Sequence, residues 1–466
     1  MRTIIRNGTI VTSRDLYQAD VLMEDGIITG LGKNLKIEDG DRIIEAEGRY
    51  VLPGGIDVHT HLGIPDTVDD FESGTRAAAM GGITTIINYV DPVRGQSLLE
   101  TLRVWKEKAM PSCIDYGFHS IINECNERVL EELPLLADKE GVTSIKLFMA
   151  YKETNMVNDL QMYRLMKKAG ESGILTCVHA ENGDVIDELV EEAVAQGRLA
   201  PIYHALTRPE TLEAEAVNRA LRIAETAKAP VYIVHVSCAD AMNEVGQAVE
   251  RGGHVYAETC PHYLVLDQSY LELPDFEGGK YVCSPPLREK WNQDKLWEGI
   301  ASGNIHTIGS DHASIPFEGG KTRGRNNFAQ IPNGLPGIET TFPLLYHYGV
   351  YEQRVSLSKF VEITSTNPAR IFGLYPKKGT IAVGSDADIT IVDPARSKVI
   401  SHRTQQQGTD YNVYEGMELQ GATERVFSRG EELVSNGLFV GKPGRGQYLH
   451  RQKISPSDAL KRGMIK

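Results

Sequence analysis

The stretch Gly54-Gly55-Ile56-Asp57-Val58-His59-Thr60-His61 is an apolar run that ends in two histidines spaced two apart. Side chains on a β-strand alternate faces, so residues i and i+2 point the same way and both imidazoles can reach one metal ion. Such a pair is weak evidence alone; the rest of the chain gives it weight. Seven further short apolar runs succeed it: Thr84 to Tyr89, Asp115 to Ser120, Ser144 to Phe148, Leu175 to Ala180, Val231 to Ser237, His254 to Thr259 and His306 to Asp311. Amphipathic helical patterns lie between them, including Leu98 to Lys108, Leu160 to Glu171, Glu210 to Lys228 and Ala239 to Arg251. Eight alternating units of this kind predict an α/β fold, a (β/α)8 TIM-like barrel.

Outside the barrel the texture is different. Residues 1–51 read as short alternating strands (Thr3 to Ile5, Thr9 to Thr12, Asp20 to Met23, Ile27 to Leu31) punctuated by Asn-Gly and Asp-Gly turns. The β texture returns in Gly379 to Asp393, where Ile389-Thr390-Ile391-Val392 is a strand. Neither end offers enough apolar surface to be stable alone, so residues 1–51 and 376–441 are expected to form one small β-sandwich domain beside a catalytic barrel over 52–375. The tail, 442–466, is basic and contains several Gly and Pro; a loosely ordered end is expected slightly ahead of an arm gripping a neighbouring subunit.

With 49 Lys and Arg against 63 Asp and Glu, the formal charge of −14 disfavours nucleic acid and anionic membrane as partners and favours small neutral or weakly charged substrates. No early segment has the pattern of a signal peptide and no apolar run approaches the length of a membrane span, so the expected location is the cytoplasm. The six cysteines form no Cys-x-x-Cys pair and read as buried free thiols.

Four more candidate ligands sit in or at the ends of later apolar runs: Lys146 in the fourth, His179 in the fifth, His235 in the sixth and Asp311 in the eighth. Chemistry in this fold gathers at the carboxyl ends of the strands. A single strand-end histidine is often a hydrogen-bonded core residue, but six such residues at one rim point to a two-metal hydrolase site. Lys146 lies between Ile145, Leu147 and Phe148, where a charged amine is costly to bury and would repel cations. One solution is a carbamate formed with carbon dioxide, an anionic group able to bridge two metals; the other is a lysine paired with an acidic neighbour. The ligand types accept zinc, manganese, cobalt or iron, with zinc the default.

Over nearly its whole length the chain resembles the cyclic amidases of the amidohydrolase superfamily, the D-hydantoinases and dihydropyrimidinases. The matching stretches are Pro53 to His61, Lys146 to Lys152, Val178 to Gly183, Tyr232 to Ser237, Ser284 to Arg288, Ser310 to His312 and Pro332 to Gly337. The resemblance implies that His59, His61, carboxylated Lys146 and Asp311 hold one metal, and that Lys146, His179 and His235 hold the other. It further implies that Tyr151 supports the substrate carbonyl oxygen and that Ser284 and Asn333 grip a cyclic ureide through main-chain groups. Without it, Tyr151 reads as a surface tyrosine and Ser284 and Asn333 as turn residues. A homotetramer is implied by the resemblance alone.

The implied reaction is hydrolytic opening of a hydantoin or dihydropyrimidine to an N-carbamoyl amino acid, with Asp311 as proton shuttle. The alternatives are allantoinase or another cyclic-imide hydrolase, dihydroorotase, a deaminase, and a noncatalytic interaction protein that has lost its ligands. After His61 the chain reads Leu62-Gly63, so the arginine that resembling dihydroorotases place there is absent. Every ligand is present, against the noncatalytic reading. One departure is that Leu62 to Val68 is shorter than the Gly-rich loop of resembling hydantoinases, leaving substituent preference and enantioselectivity open; Met149 to Met156 and Asp91 to Gln96 are further candidates for lining the entrance. His119, His262 and His312 read as structural support.

Overall fold

The computed structural model describes residues 2–454. Eight strands form the barrel: β1 (Gly55–Thr60), β2 (Ile83–Val90), β3 (Asp115–Ile121), β4 (Ser144–Phe148), β5 (Leu175–His179), β6 (Val231–Ile233), β7 (Val255–Thr259) and β8 (Thr307–Ile308). They keep chain order around the sheet. Each ladder is parallel. The ring closes beyond β8, where Thr60 bridges His312 and His61 N donates to His312 O at 2.9 Å.

The local reasons are visible in the residues. β2 reads Ile-Thr-Thr-Ile-Ile-Asn-Tyr-Val, β-branched and aromatic, and is buried along its whole length as a strand covered on both faces must be. The helix Leu98–Lys108 has the expected bounds: the Ser97 side chain caps Glu100 N, and Leu98, Thr101, Leu102 and Trp105 bury one face. No helix among the described residues is long and apolar enough to cross a membrane. All six cysteines are free thiols, five of them buried.

The two chain ends meet as expected, in a single hydrogen-bonded nine-stranded sheet. The strand Ile389–Val399 runs antiparallel to Tyr50–Pro53 and joins the C-terminal strands to the N-terminal ones. Ile10, Val21, Val51, Ile389 and Phe427 share one core there. The separately expected runs Thr3 to Ile5 and Thr9 to Thr12 belong to one strand, Thr3–Val11, with a bulge between Ile5 and Gly8. Asn7 has φ 59° in that bulge, so the Asn-Gly pair kinks a strand where its composition predicts a turn.

The tail differs from expectation over 442–454. Instead of a loose end, the chain lies across the amino-terminal side of the barrel: Tyr116 N donates to Gln447 O at 3.0 Å, Leu449 N to Tyr116 O at 2.8 Å and Arg451 N to Gly141 O at 3.0 Å. Arg451 is buried and donates to Phe118 O and to Ser144 Oγ. Its positive charge goes to polar groups of β3 and of the start of β4, which need partners once covered. The remainder of the tail, 455–466, lies outside the described residues.

One buried charge cluster ties these parts together. Lys378 Nζ lies 2.9 Å from Asp115, 2.9 Å from Asp386 and 2.6 Å from Asp388. Asp115 opens β3, Asp388 precedes the strand Ile389–Val399, and Gln447 N of the tail donates to Asp115 at 2.9 Å. Replacing Lys378 removes the cation shared by three buried carboxylates and leaves Arg429, 3.1 Å from Asp115, to hold them. Lys378→Met is therefore expected to lower the unfolding free energy by about 3–5 kcal/mol, read from urea unfolding curves at neutral pH.

Candidate active site

The carboxyl ends of the barrel strands open into a cavity of about 270 Å³. His59, His61, Lys146, His179, His235 and Asp311 all line it, and so do Tyr151, Ser284 and Asn333. All nine residues expected from the sequence thus meet at one site. Tyr151, which reads as a surface tyrosine without the resemblance, faces the cavity. Of the segments expected at the entrance, Asp91, Tyr151 and Asn155 contribute to the wall, together with Ile64 from the short loop after β1.

His59 lies on β1 and His61 immediately after it, one strand period apart. Their Nε2 atoms converge on Asp311 Oδ1, at 3.0 and 3.4 Å. One ligand atom from each of the three residues lies within 4.8 Å of the others. His59 Nε2 is buried without an aligned hydrogen bond. A nitrogen that faces a carboxylate oxygen without an aligned hydrogen bond suits two ligands turned toward a shared cation. On the other side His179 Nδ1 and His235 Nε2 face each other at 2.8 Å. The donor set, imidazoles and a carboxylate around a lysine, fits divalent first-row metals.

Lys146 stands between these groups, almost fully buried. Its Nζ lies 4.5 Å from the centre of the Tyr89 ring and 5.0 Å from that of Phe148. No hydrogen bond or ion pair is formed by this amine among the described residues, so the acid-paired alternative has no partner here. Burial pushes its pKa down to about 8, with Asp311 opposing the shift. A desolvated amine of lowered pKa is the form that can attack carbon dioxide.

Two acids overlooked in the sequence hold the histidines. Glu258 on β7 meets His59 Nδ1 at 2.5 Å, accepts from Tyr232 Oη at 2.8 Å and from His235 N at 3.2 Å. Glu181 Oε2 lies 2.9 Å from His179 Nε2. Each contact fixes one ring nitrogen and leaves the other for the cavity. A signal for both was present: Glu258 interrupts the apolar run Val255-Tyr256-Ala257, and Glu181 stands two residues after His179. Burial alone would lower the His59 pKa, but the carboxylates of Asp311 and Glu258 raise it to about 9. His235, buried beside His179 and Lys146, is held well below the ordinary value and is neutral.

The three other histidines noted near strand ends behave differently. His119 bonds Ser144 Oγ and Val58 O, and His312 bonds Asp69 and Gly337 N, both as structural support. His262 is buried with its Nε2 unpartnered, and it forms with Cys260 and Asp311 a second three-residue grouping.

Known proteins share this arrangement of barrel and second sheet. The amidohydrolase family model matches residues 50–433. The chain belongs to the amidohydrolase family. Within that family it is 52% identical over 458 residues to a D-hydantoinase of Geobacillus stearothermophilus, covering 97% of each chain. It is 48% identical to a D-hydantoinase of Ralstonia pickettii, covering 97% of this chain and 99% of that protein. The solved dihydropyrimidinase from Brevibacillus agri NCHU1002 superposes with a TM-score of 0.96 at 49% identity, over 98% of this chain and 100% of that one. This amidohydrolase is thus a relative of the hydantoinases and dihydropyrimidinases over its whole barrel and its second sheet.

Because Glu258 orients His59 from behind, Glu258→Gln should weaken metal retention by about 10–100-fold while the fold persists. Metal content by plasma mass spectrometry after graded chelation, beside a circular-dichroism melt, checks this.

Proposed function

We propose that this amidohydrolase opens the ring amide of hydantoins or dihydropyrimidines, giving N-carbamoyl amino acids, with preference for a D-configured 5-substituent. The observation that carries the reading is the cavity itself: two sets of metal-ligand side chains flank a buried lysine, and among the described residues that lysine is the only Lys or Arg in the wall. A substrate carboxylate, such as a dihydroorotase must hold, finds no arginine and no second lysine there. A small uncharged ring does fit, and Ile64, Ile121 and Phe148 give an exocyclic group apolar surface. The D preference and the choice of ring are supported by the names of the relatives, which include both hydantoinases and a dihydropyrimidinase.

His59, His61 and Asp311 would hold one divalent ion and His179 and His235 the other, with Lys146, carboxylated by carbon dioxide, shared between them. When bound, such a pair lowers the pKa of water toward neutrality and polarises the amide carbonyl. Zinc is the default occupant, with manganese, cobalt and iron compatible. Asp311 takes the proton of the attacking water and returns it to the departing ring nitrogen. In the free site its carboxyl is held well below the usual range: burial works against this, and the charge on His59 outweighs it.

Tyr151 supplies the hydrogen bond to the developing oxyanion. Burial, and then Glu181, raise its pKa, so the hydroxyl keeps its proton at neutral pH. Asn333 Nδ2 donates to Tyr151 Oη at 3.4 Å, which orients the phenol. Ser284 and Asn333 grip the ring through main-chain groups. The active form is a homotetramer, a reading supported by the family resemblance and checked by light scattering.

Asp311→Asn should abolish turnover of 5-phenylhydantoin and dihydrouracil while the melting temperature stays near that of the wild type; measurable turnover would refute its role. Lys146→Ala should lose tight retention of two metals, and native mass spectrometry of the wild type should show one added carbon dioxide per chain. Two tightly held metals in Lys146→Ala would sink the carbamate. Ring-opening rates on dihydrouracil and on each enantiomer of 5-phenylhydantoin decide between the two ring classes.

A further inference from the structure

Ser284 and Asn333 stand on segments far apart in sequence, and one buried ammonium lies between them. Lys321, in the turn Lys321–Gly324, has 0% exposure. Its Nζ donates to Val282 O, Pro332 O and Gly334 O, each at 2.7 Å. Val282 lies two residues before Ser284, and Pro332 and Gly334 flank Asn333. The segments also touch directly, with Gly334 N donating to Val282 O at 3.2 Å.

Three carbonyls at hydrogen-bond distance need three donors. An ammonium has three and a neutral amine two, so the three acceptors favour the protonated form against the burial that pulls the Lys321 pKa down to about 7. No carboxylate pairs with Lys321 among the described residues, so the carbonyls are what a charge here is for. Such an arrangement is costly unless every donor is used, and all three go to the two segments that face the substrate. Gly334 adds to the need for a tie: its φ is 129°, and a Cβ there would stand 2.7 Å from the Cβ of Ala313. The backbone just after Asn333 is thus held in a shape that few residues adopt.

We propose that Lys321 is a positioning residue for the cyclic-amide substrate: its ammonium sets the separation of the 282–284 and 332–334 segments, so that the main-chain groups of Ser284 and Asn333 hold one ring from two sides. The inference rests on the proposed grip of Ser284 and Asn333 on the substrate ring. A grip on the unreacting part of the ring acts equally in ground and transition states, so its loss raises KM and leaves kcat largely alone.

The test compares the wild-type holoenzyme with Lys321→Met, which keeps the stem and removes the donors, and Lys321→Gln, which restores two. Lys321→Met should raise KM for D-5-phenylhydantoin about tenfold or more with kcat within about threefold and metal content unchanged. Lys321→Gln should fall between. Backbone hydrogen exchange should quicken at 282–285 and 332–335 and not in the barrel strands. Should Lys321→Met not fold, Lys321→Gln carries the same comparison. An unchanged KM, or a fall in kcat that tracks lost metal, overturns the proposal. Exchange distinguishes the two ways of failing. A wild type silent on every cyclic amide ends the substrate reading even if local exchange quickens, whereas unaltered exchange in an active enzyme ends the clamp.

Discussion

A lysine amine in the middle of a fully buried strand is the constraint around which this site is arranged. Lys146 is flanked by Ile145 and Leu147, both completely buried, and its Nζ faces the rings of Tyr89 and Phe148. Ring faces stabilise a cation by about 0.5–2 kcal/mol, far less than an ammonium loses on leaving water. The position therefore favours chemistry that removes the positive charge. Under the proposed reading, conversion to an anionic carbamate does so, and the four histidines and Asp311, on or just beyond other barrel strands, would hold the cations it then requires.

Around that constraint the barrel arranges its acids in a second layer. Glu258 is shared by His59, Tyr232 and the backbone of His235, so one carboxylate on β7 links ligands from β1 and from the segment after β6. Asp57, one turn of the pleat before His59, accepts from His59 N and Ser310 N and joins β1 to the segment that carries Asp311. These bonds set ring tautomers and side-chain directions before any metal arrives. Such preorganisation is what the proposed ligand set would need beyond a group of adjacent histidines.

What could be read in the sequence was whatever has a period or a local spacing. The helix Leu98–Lys108 announced itself by an apolar stripe, and His59 and His61 by their i, i+2 relation. The strands that carry His235 and Asp311 were harder to bound. β6 and β8 are only three and two residues long, because the chain leaves the ladder before it reaches either ligand. Contacts that join distant segments left no periodic trace. Lys321 in Gly-Gly-Lys-Thr looks like a solvated turn lysine, yet its three acceptors lie 39, 11 and 13 residues away. The basic residues of 442–454 looked like a free tail for the same reason: composition records charge but not what covers it.

The early exit from the ladder has a physical cost that points back to function. Tyr151, His235 and Asp311 have φ of 64°, 39° and 49°, in the left-handed region that side chains other than glycine avoid. Each such residue costs about 1–3 kcal/mol, and glycine would relieve it. All three stand just beyond a barrel strand, where the backbone turns away from the sheet and the side chain is aimed across the rim. Their surroundings hold the shape: Tyr151 O accepts from Thr154 N, Asn155 N and Met156 N, and Glu258 accepts from His235 N. Glycine would ease the backbone at every one of these positions but would delete the phenol, imidazole or carboxylate that faces the cavity, and keeping those groups at that cost fits the roles proposed for them.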